Sequence, residues 1–226
     1  MNRETLTENI SETISETGNG TRYHHGDLRA ALLAAGDAVL AAEGFRGFTL
    51  RACARYAGVS HAAPKHHFED VTGFLTAIAA RGFDRLTTRL ETTIGEAADL
   101  AEQFEATSRA YLGFAEDYPE HFRIMFRSDL LNPDDESLRA AASRTFVVLT
   151  NVILRQRGET EITELDETLQ FAGVIKDIGI GWCHIHGLAH LVLEQQLAMF
   201  SAEERDALIV SAAERLSALL QARIDS

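Results

Sequence analysis

Residues 49–68 constrain the fold more than any other segment of the chain. Apolar residues recur there at helical spacing on both sides of Gly58. Gly58 can adopt the positive φ angle that ends a helix and turns the chain sharply, and Ser60 is expected to cap the following helix. The segment therefore predicts two short helices joined by a tight turn. Such a pair is either an ordinary helical hairpin or a helix-turn-helix, whose second helix enters the major groove of DNA.

A further helix is expected before this segment. An apolar face from Leu28 to Leu40, followed by Gly44, predicts a helix over residues 27–43. Thr49 is well placed to cap the next helix. Three helices within about fifty residues make a compact bundle that can expose its third helix.

The order of residues in this bundle resembles the tetracycline-repressor (TetR) family of dimeric bacterial regulators. The matching residues between positions 28 and 75 are Gly44-Phe45, Phe48-Thr49, Arg51, Ala54, Ala57-Gly58-Val59-Ser60, His67-Phe68 and Phe74-Leu75. Further along, the chain resembles the subclass with a Trp…His-Gly signature at Tyr118 to Phe126, Trp182 and His186-Gly187. The resemblance implies an all-α fold, in which a three-helix DNA-binding domain precedes a larger helical domain for ligand binding and dimerisation.

The net charge of −13 is unevenly distributed, and its distribution follows the expected domains. Residues 1–20, a flexible acidic tail, carry one basic and four acidic residues. Residues 21–80, the helix-turn-helix domain, carry six basic and five acidic residues. Residues 81–226, the ligand-binding and dimerisation domain, carry fourteen basic and twenty-five acidic residues. The excess of acid therefore lies mostly outside the expected DNA-binding domain, so the overall charge permits DNA binding without arguing for it.

Composition excludes several other classes of protein. An apolar content of 46% excludes a generally disordered chain. No apolar run approaches the roughly 18 residues that span a bilayer, and residues 1–20 lack the core of a signal peptide. Cys53 and Cys183 are expected to be small buried residues of a reducing compartment, not a disulfide or zinc framework. We therefore expect a cytoplasmic protein with no membrane partner.

Nine residues are candidates for DNA contact: Thr49, Arg51, Ser60, His61, Ala62, Ala63, Lys65, His66 and His67. Arg51 is suited to a bidentate contact with guanine or a phosphate, or else is a solvated surface arginine. Residues 61–63 are expected on the first turn of the third helix, where small side chains approach base edges and thymine methyl groups. The hydroxyl groups of Thr49 and Ser60 either hold phosphates or serve only as helix caps.

Two positions depart from the family pattern. Lys65 stands where the family usually has a tyrosine that touches a phosphate, and Val71 stands where a lysine usually opens the fourth helix. Lysine still binds phosphate as a point charge, but valine does not. The expected grip on the DNA backbone is therefore weaker than in the family.

The rest of the chain is predicted to be helical, because no strand-like alternation persists. The expected helices cover residues 71–98, 100–117, 119–127, 134–157, 164–195 and 202–223. The last two are expected to form a four-helix interface with a second copy of the chain.

Large apolar residues cluster in this domain and are typical either of a core or of the wall of an effector cavity. The resemblance favours a cavity for a small, mostly apolar organic effector. Its candidate residues are Phe104, Tyr111, Phe114, Phe122, Met125, Phe126, Phe146, Phe171, Ile175, Trp182 and His186.

The function predicted from these features is that of a homodimeric repressor, which a small effector releases from a palindromic double-stranded DNA operator. We expect no enzymatic activity, because no constellation of base and nucleophile stands out beyond the histidines, and we expect no cofactor. We expect no metal, because the pair His186 and His190 lacks a third ligand. One alternative is a TetR-like ligand-binding protein with weak or lost DNA binding. The other is a helical enzyme that uses His184, His186 and His190.

Overall fold

The computed structural model describes residues 25–165 and 174–221, and all regular secondary structure in these ranges is helical. The helices are α1 (His25–Gly47), α2 (Leu50–Tyr56), α3 (Ala63–Phe68), α4 (Val71–Glu96), α5 (Leu100–Asp117), α6 (Pro119–Met125), α7 (Glu136–Gln156), α8 (Val174–Leu193) and α9 (Ala202–Gln221). The prediction of an all-α fold is confirmed. The expected acidic tail lies outside the described residues.

Helices α1 to α3 form a bundle that we call the head. The helical backbone of α1 breaks at Gly44, whose φ is 67°. Thr49 caps α2, because its hydroxyl oxygen accepts a hydrogen bond from the Ala52 amide at 3.0 Å. The core of the head is closed by the rings of Phe48 and Phe68, whose centroids lie 5.6 and 4.4 Å from that of Phe74. Both local predictions, the stop at Gly44 and the cap at Thr49, are confirmed.

The turn between α2 and α3 differs from its prediction. Gly58 has the expected positive φ, at 66°. Ser60 does not cap α3, because the Ala63 amide that such a cap would bind donates instead to the backbone carbonyl of Ser60 at 3.0 Å. The helix therefore begins at Ala63, and His61 and Ala62 form a turn before it and do not lie on its first turn.

Helix α4 links the head to the remaining helices, α5 to α9, which we call the body. Asp70 caps it by accepting from the Gly73 amide at 2.8 Å. Its first half contacts the head, and it packs along α5, α6 and α7. The expected division at residue 80 falls inside this continuous helix and stays a proposal.

The helices of the body follow the predicted pattern, with shifts at their ends. Helix α5 has the predicted bounds, and α7 begins later than predicted because Asp135 is its cap, not its first turn. The helix expected from residue 164 does not begin there. The Asn151 side chain bonds both the amide and the carbonyl of Ile162, at 2.9 Å each, and this holds the loop after α7 away from helical geometry. Helix α9 begins at the predicted residue, after a reciprocal cap between Ser201 and Glu204.

The two cysteines have different environments. Cys53 is buried in the head as predicted, whereas Cys183 is exposed on α8, so the prediction of two buried cysteines is wrong for Cys183. Both thiols are free. Among the described helices, none is long and apolar enough to cross a membrane.

Candidate functional site

The candidate DNA-contact residues lie on α2, on α3 and on the turn between them. Most of their side chains are exposed: Thr49, Arg51, Ser60, His61, Ala62, Lys65 and His66. His67 is half-buried, with its ring 6.3 Å from that of Phe68. Ala63 is buried in the head, so its side chain does not reach the surface where a thymine methyl would lie. The position of a residue around its helix, and not its place in the linear sequence, therefore decides whether its side chain faces solvent.

Arg51 and Lys65 are the cations of this surface that are free to meet phosphate. Neither forms an ion pair with another side chain in the described part of the molecule. Arg55 differs, because it pairs with Glu43 at 3.3 Å. Arg29 lies over the ring of Phe68, 5.1 Å from its centroid, and so supports α3 from behind.

Four charged or polar side chains join the head to the body, and we call them the Asp37 cluster. Asp37 of α1 accepts from Arg85 at 2.5 Å and from His121 of α6 at 2.9 Å, and it pairs with Arg81 at 3.1 Å. Burial alone would raise the pKa of Asp37, but the hydrogen bond from His121 and the charges of Arg81 and Arg85 together lower it. Asp37 is therefore ionised near neutral pH and ties α1 to both α4 and α6.

A second contact between head and body lies beside this cluster. The Phe45 amide, just after the break at Gly44, donates to Glu120 of α6 at 3.1 Å. Glu120 also pairs with Arg123, which in turn pairs with Glu194 beyond the end of α8. Helix α6 is therefore fixed to the head on one side and to α8 on the other.

The aromatic residues of the body meet around Trp182, and we call this group the Trp182 cluster. The Trp182 ring stacks on that of His186, with centroids 4.7 Å apart and an angle of 13° between the planes. Its centroid lies 4.7 Å from that of Phe146 and 5.6 Å from that of Phe126. Burial and, to a smaller degree, the charge of His190 lower the pKa of His186 to about 4. Its Nδ1 atom lies 3.0 Å from the buried Tyr111 hydroxyl, so the cluster contains a neutral hydrogen-bonded pair.

A cavity of about 40 Å³ opens beside Trp182, between α5, α7 and α8. Three of the candidate effector residues line it: Phe104, Phe146 and Trp182. Its polar lining consists of Thr107, Ser108, Thr150 and His184, none of which was among the candidate effector residues. Helical spacing from the aromatic residues is the signal that finds the hydroxyl groups. Positions 107 and 108 follow Phe104 by three and four residues, and position 150 follows Phe146 by four.

The other candidate effector residues do not line the cavity. Tyr111, Phe122, Phe126 and His186 lie one layer behind it, against Trp182 or its stacking partner. Phe114 packs against Tyr118 at 5.3 Å, and Met125 lies against Gly82 of α4. Ile175 is 46% exposed, and Phe171 lies outside the described residues. Large size and apolarity alone therefore did not separate cavity wall from core.

A family comparison matches the part of the chain that holds the cavity. Residues 104–216, half of the 226-residue chain, match the sequence profile of the tetracyclin repressor-like C-terminal domain. The chain belongs to the TetR family. The resemblance found at the helix-turn-helix and the profile match in the body therefore agree, and TetR proteins are DNA-binding transcriptional regulators.

Solved structures share this TetR architecture. A protein with unknown function from Rhodococcus sp. RHA1 is 28% identical, with a TM-score of 0.70 over 89% of this chain and 100% of that chain. A regulatory protein of the tetR family from Rhodococcus RHA1 is 20% identical, with a TM-score of 0.58 over 84% of this chain and 96% of that chain. The TetR regulator PfmR from Thermus thermophilus is 18% identical, with a TM-score of 0.52 over the same shares. None of the curated proteins compared with the chain matches it in sequence. The two structures that are 20% and 18% identical support the fold alone.

Proposed function

We propose that this TetR protein is a dimeric repressor that leaves a palindromic operator when a small, mostly apolar effector enters the body. The observation that carries the proposal is the position of α6. Its residues His121 and Glu120 hold the head, whereas its residue Phe122 and Phe126, which directly follows its last residue, pack on the Trp182 cluster beside the cavity. A change at the cavity therefore has a short packed route to the DNA-binding helices.

The size of the cavity favours a mechanism in which the effector moves this route. At about 40 Å³ the cavity is far smaller than the roughly 300–1,000 Å³ of a site that holds a drug-sized ligand. An effector must therefore displace cavity walls, of which Trp182 is one. Since Phe126 lies against Trp182, the displacement reaches α6 and then the Asp37 cluster. Coupling of this kind between two ligands typically amounts to about 1–3 kcal/mol.

Exposed apolar residues on α8 and α9 support the dimer. On α8 the exposed positions 176, 180, 183, 187 and 191 recur every three or four residues, and Ile180 and Leu191 are the large apolar residues among them. On α9 exposed Leu208 and Leu219 lie eleven residues apart, which places them on one face of the helix. Two such helices from each of two chains form a four-helix interface, and its two-fold symmetry matches a palindromic operator.

An Ile180→Glu variant tests the dimer, because it places a charge in the centre of the proposed interface. We expect this variant to sediment as a monomer at micromolar concentration, and its Cys183 to react faster with a thiol reagent than in the wild type. Val71→Glu, which alters an exposed apolar residue of the head, serves as the control and should remain dimeric. A dimeric Ile180→Glu variant with unchanged Cys183 reactivity would refute this interface.

DNA binding is tested by fluorescence anisotropy with duplex DNA from the region upstream of the protein's own gene. Phosphate contacts make binding fall steeply with salt, so affinity should drop between about 50 and 200 mM salt. Arg51→Ala should weaken binding to the preferred sequence most, and Lys65→Ala should weaken binding to all sequences alike. Arg139→Ala, an exposed arginine of α7, is the matched control and should bind as the wild type does. No binding at low salt would refute the repressor.

One observation favours a second candidate function, a TetR-like ligand-binding protein with weak or lost DNA binding. Val71 is 44% exposed at the start of α4, directly after the recognition helix, where a cation would be available to phosphate. Effector binding without any salt-sensitive DNA binding would support this candidate. Under either proposal the protein acts in the cytoplasm and catalyses no reaction.

A further inference from the structure

We propose that the Nε2 atom of His184 is the polar anchor of the effector and that it selects neutral molecules that carry a hydroxyl group. This inference rests on the proposed function, because it names the chemical class of the effector that enters the same cavity.

The Nε2 atom of His184 stands out because it has no partner. It is buried, and among the described side chains it is the one buried nitrogen or oxygen atom without a hydrogen bond. His184 also lines the cavity beside Trp182. A buried polar atom without a partner is costly and rare in native proteins, so it calls for an explanation. A ligand group in the cavity that bonds to this nitrogen would remove the cost.

The lining of the cavity favours an uncharged ligand. Among its lining residues there is no lysine, arginine, aspartate or glutamate. Burial lowers the pKa of His184, so the imidazole is neutral near neutral pH. A carboxylate or an ammonium group would lose its hydration there without gaining a counter-charge, which is strongly unfavourable.

The remaining polar groups narrow the ligand to one with a hydroxyl. The hydroxyl groups of Thr107 and Ser108 donate to the carbonyls of Gln103 and Phe104, at 2.6 and 3.1 Å, so that towards a ligand they can only accept. A neutral imidazole nitrogen either donates or accepts, depending on the tautomer. A ligand hydroxyl donates and accepts at once, and so it fits His184 in either tautomer while also reaching these oxygens.

The apolar residues of the lining determine the non-polar part of the ligand. The rings of Phe104, Phe146 and Trp182 and several aliphatic side chains surround the cavity. Because the cavity holds only about 40 Å³, a compact ring or short branched chain disturbs it least. The expected class is therefore a small alcohol or phenol with one hydroxyl group on a compact hydrocarbon body.

Trp182 provides the assay, since it is the only tryptophan of the chain and lines the cavity. Its fluorescence is titrated with three optically transparent probes of similar shape: cyclohexanol, methylcyclohexane and cyclohexanecarboxylate. One net hydrogen bond corresponds to roughly three- to tenfold in affinity, so cyclohexanol should bind that much more tightly than methylcyclohexane. Cyclohexanecarboxylate should bind most weakly.

Variants of His184 assign this preference to its Nε2 atom. His184→Phe keeps an aromatic ring but lacks the nitrogen, so it should bind cyclohexanol and methylcyclohexane with equal affinity. Its affinity for methylcyclohexane should match or exceed that of the wild type. His184→Gln retains a polar group near the same position and should restore part of the preference. Tyr56→Phe, which removes the hydroxyl group of an exposed aromatic residue of the head, is the matched control and should leave all three affinities unchanged.

The outcomes separate this inference from the proposed function. A hydroxyl preference that survives in His184→Phe overturns the role of His184. Tightest binding of the carboxylate overturns the ligand class. In both cases the cavity still binds a ligand, so the proposed function stands. If none of the three probes changes the fluorescence of Trp182 in the wild-type dimer, the effector cavity itself is refuted and both proposals fail. Equal circular dichroism spectra of wild type and variants show that each variant is folded.

Discussion

Replacing Asp37 with asparagine tests the connection between head and body most simply. The change keeps the size of the side chain and one oxygen that can accept a hydrogen bond, but it removes the negative charge. In the native protein that charge faces Arg81, Arg85 and His121, which come from α4 and α6. In the variant, two cations and a histidine remain close together without the carboxylate between them.

The expected magnitude follows from burial. Hydrogen bonds to charged groups contribute about 1.5–3 kcal/mol each when buried. Asp37 is 17% exposed and His121 is 6% exposed, whereas Arg81 and Arg85 are each 34% exposed and are therefore partly screened by solvent. Asparagine also keeps one acceptor. We therefore expect the free energy of unfolding to fall by about 2–3 kcal/mol, less than the sum of three buried contacts.

Urea unfolding at a fixed protein concentration measures this loss, because the stability of the proposed dimer would depend on concentration. The matched control is Asp117→Asn, which breaks an exposed pair with Arg89 and should cost about 1 kcal/mol or less. Equal losses in the two variants would refute the argument that the Asp37 cluster holds the head on the body.

The pH dependence has a definite sign. Since the pKa of Asp37 is lowered in the folded protein, its contribution is complete above the ordinary aspartate pKa of about 3.9 and is lost as pH falls below that value. The stability difference between wild type and Asp37→Asn should therefore be full at pH 7, persist at pH 5 and shrink below about pH 4. A difference that vanishes already between pH 7 and 5 would contradict an ionised Asp37 as its source.

Four further variants test other parts of the structure by the same unfolding assay. Gly73→Ala would place a Cβ atom 2.2 Å from the backbone oxygen of Phe68, so we expect about 1–3 kcal/mol of destabilisation and weaker DNA binding, because α3 must shift. Ser201→Ala removes the cap of α9 and should cost about 1 kcal/mol. Tyr111→Phe leaves Nδ1 of His186 without its bond and should also cost about 1 kcal/mol. The pKa of His186 is about 4 in the folded protein, so between about pH 6.5 and 4 the unfolded chain binds a proton that the folded chain does not. The stability of the wild type should therefore decrease as the pH is lowered from about 6.5 to 4. An unchanged free energy of unfolding in Gly73→Ala would contradict the close approach of Gly73 to Phe68. A pH dependence of stability that is unchanged in His186→Phe would contradict His186 as its source.

Features that depend on neighbouring residues in the chain were predictable from sequence. The stop at Gly44, the cap at Thr49 and the bounds of α5 each follow from periodicity and from short-range capping hydrogen bonds. The TetR architecture was accessible for a similar reason, since its helix-turn-helix residues lie within one continuous segment.

Features that depend on distant contacts or on the exact length of a turn were not predictable. Residues 164 and 165 are not helical because Asn151 holds Ile162, and no local pattern signals that bond. Ala63 faces the core because the turn before α3 is two residues longer than a Ser60 cap would make it. His184 looked like one of several histidines, and only the packing of three helices shows that its Nε2 atom is buried without a partner.

Under the proposed function, occupancy of the cavity and binding of DNA are coupled. Both are measured in one sample that contains the protein and a labelled duplex from the region upstream of its own gene, titrated with cyclohexanol. Trp182 fluorescence reports the cavity, and anisotropy of the label reports DNA. The proposed coupling predicts that both signals change with one midpoint and that DNA affinity falls by roughly 5–150-fold. A cavity that fills while DNA affinity stays constant would contradict it.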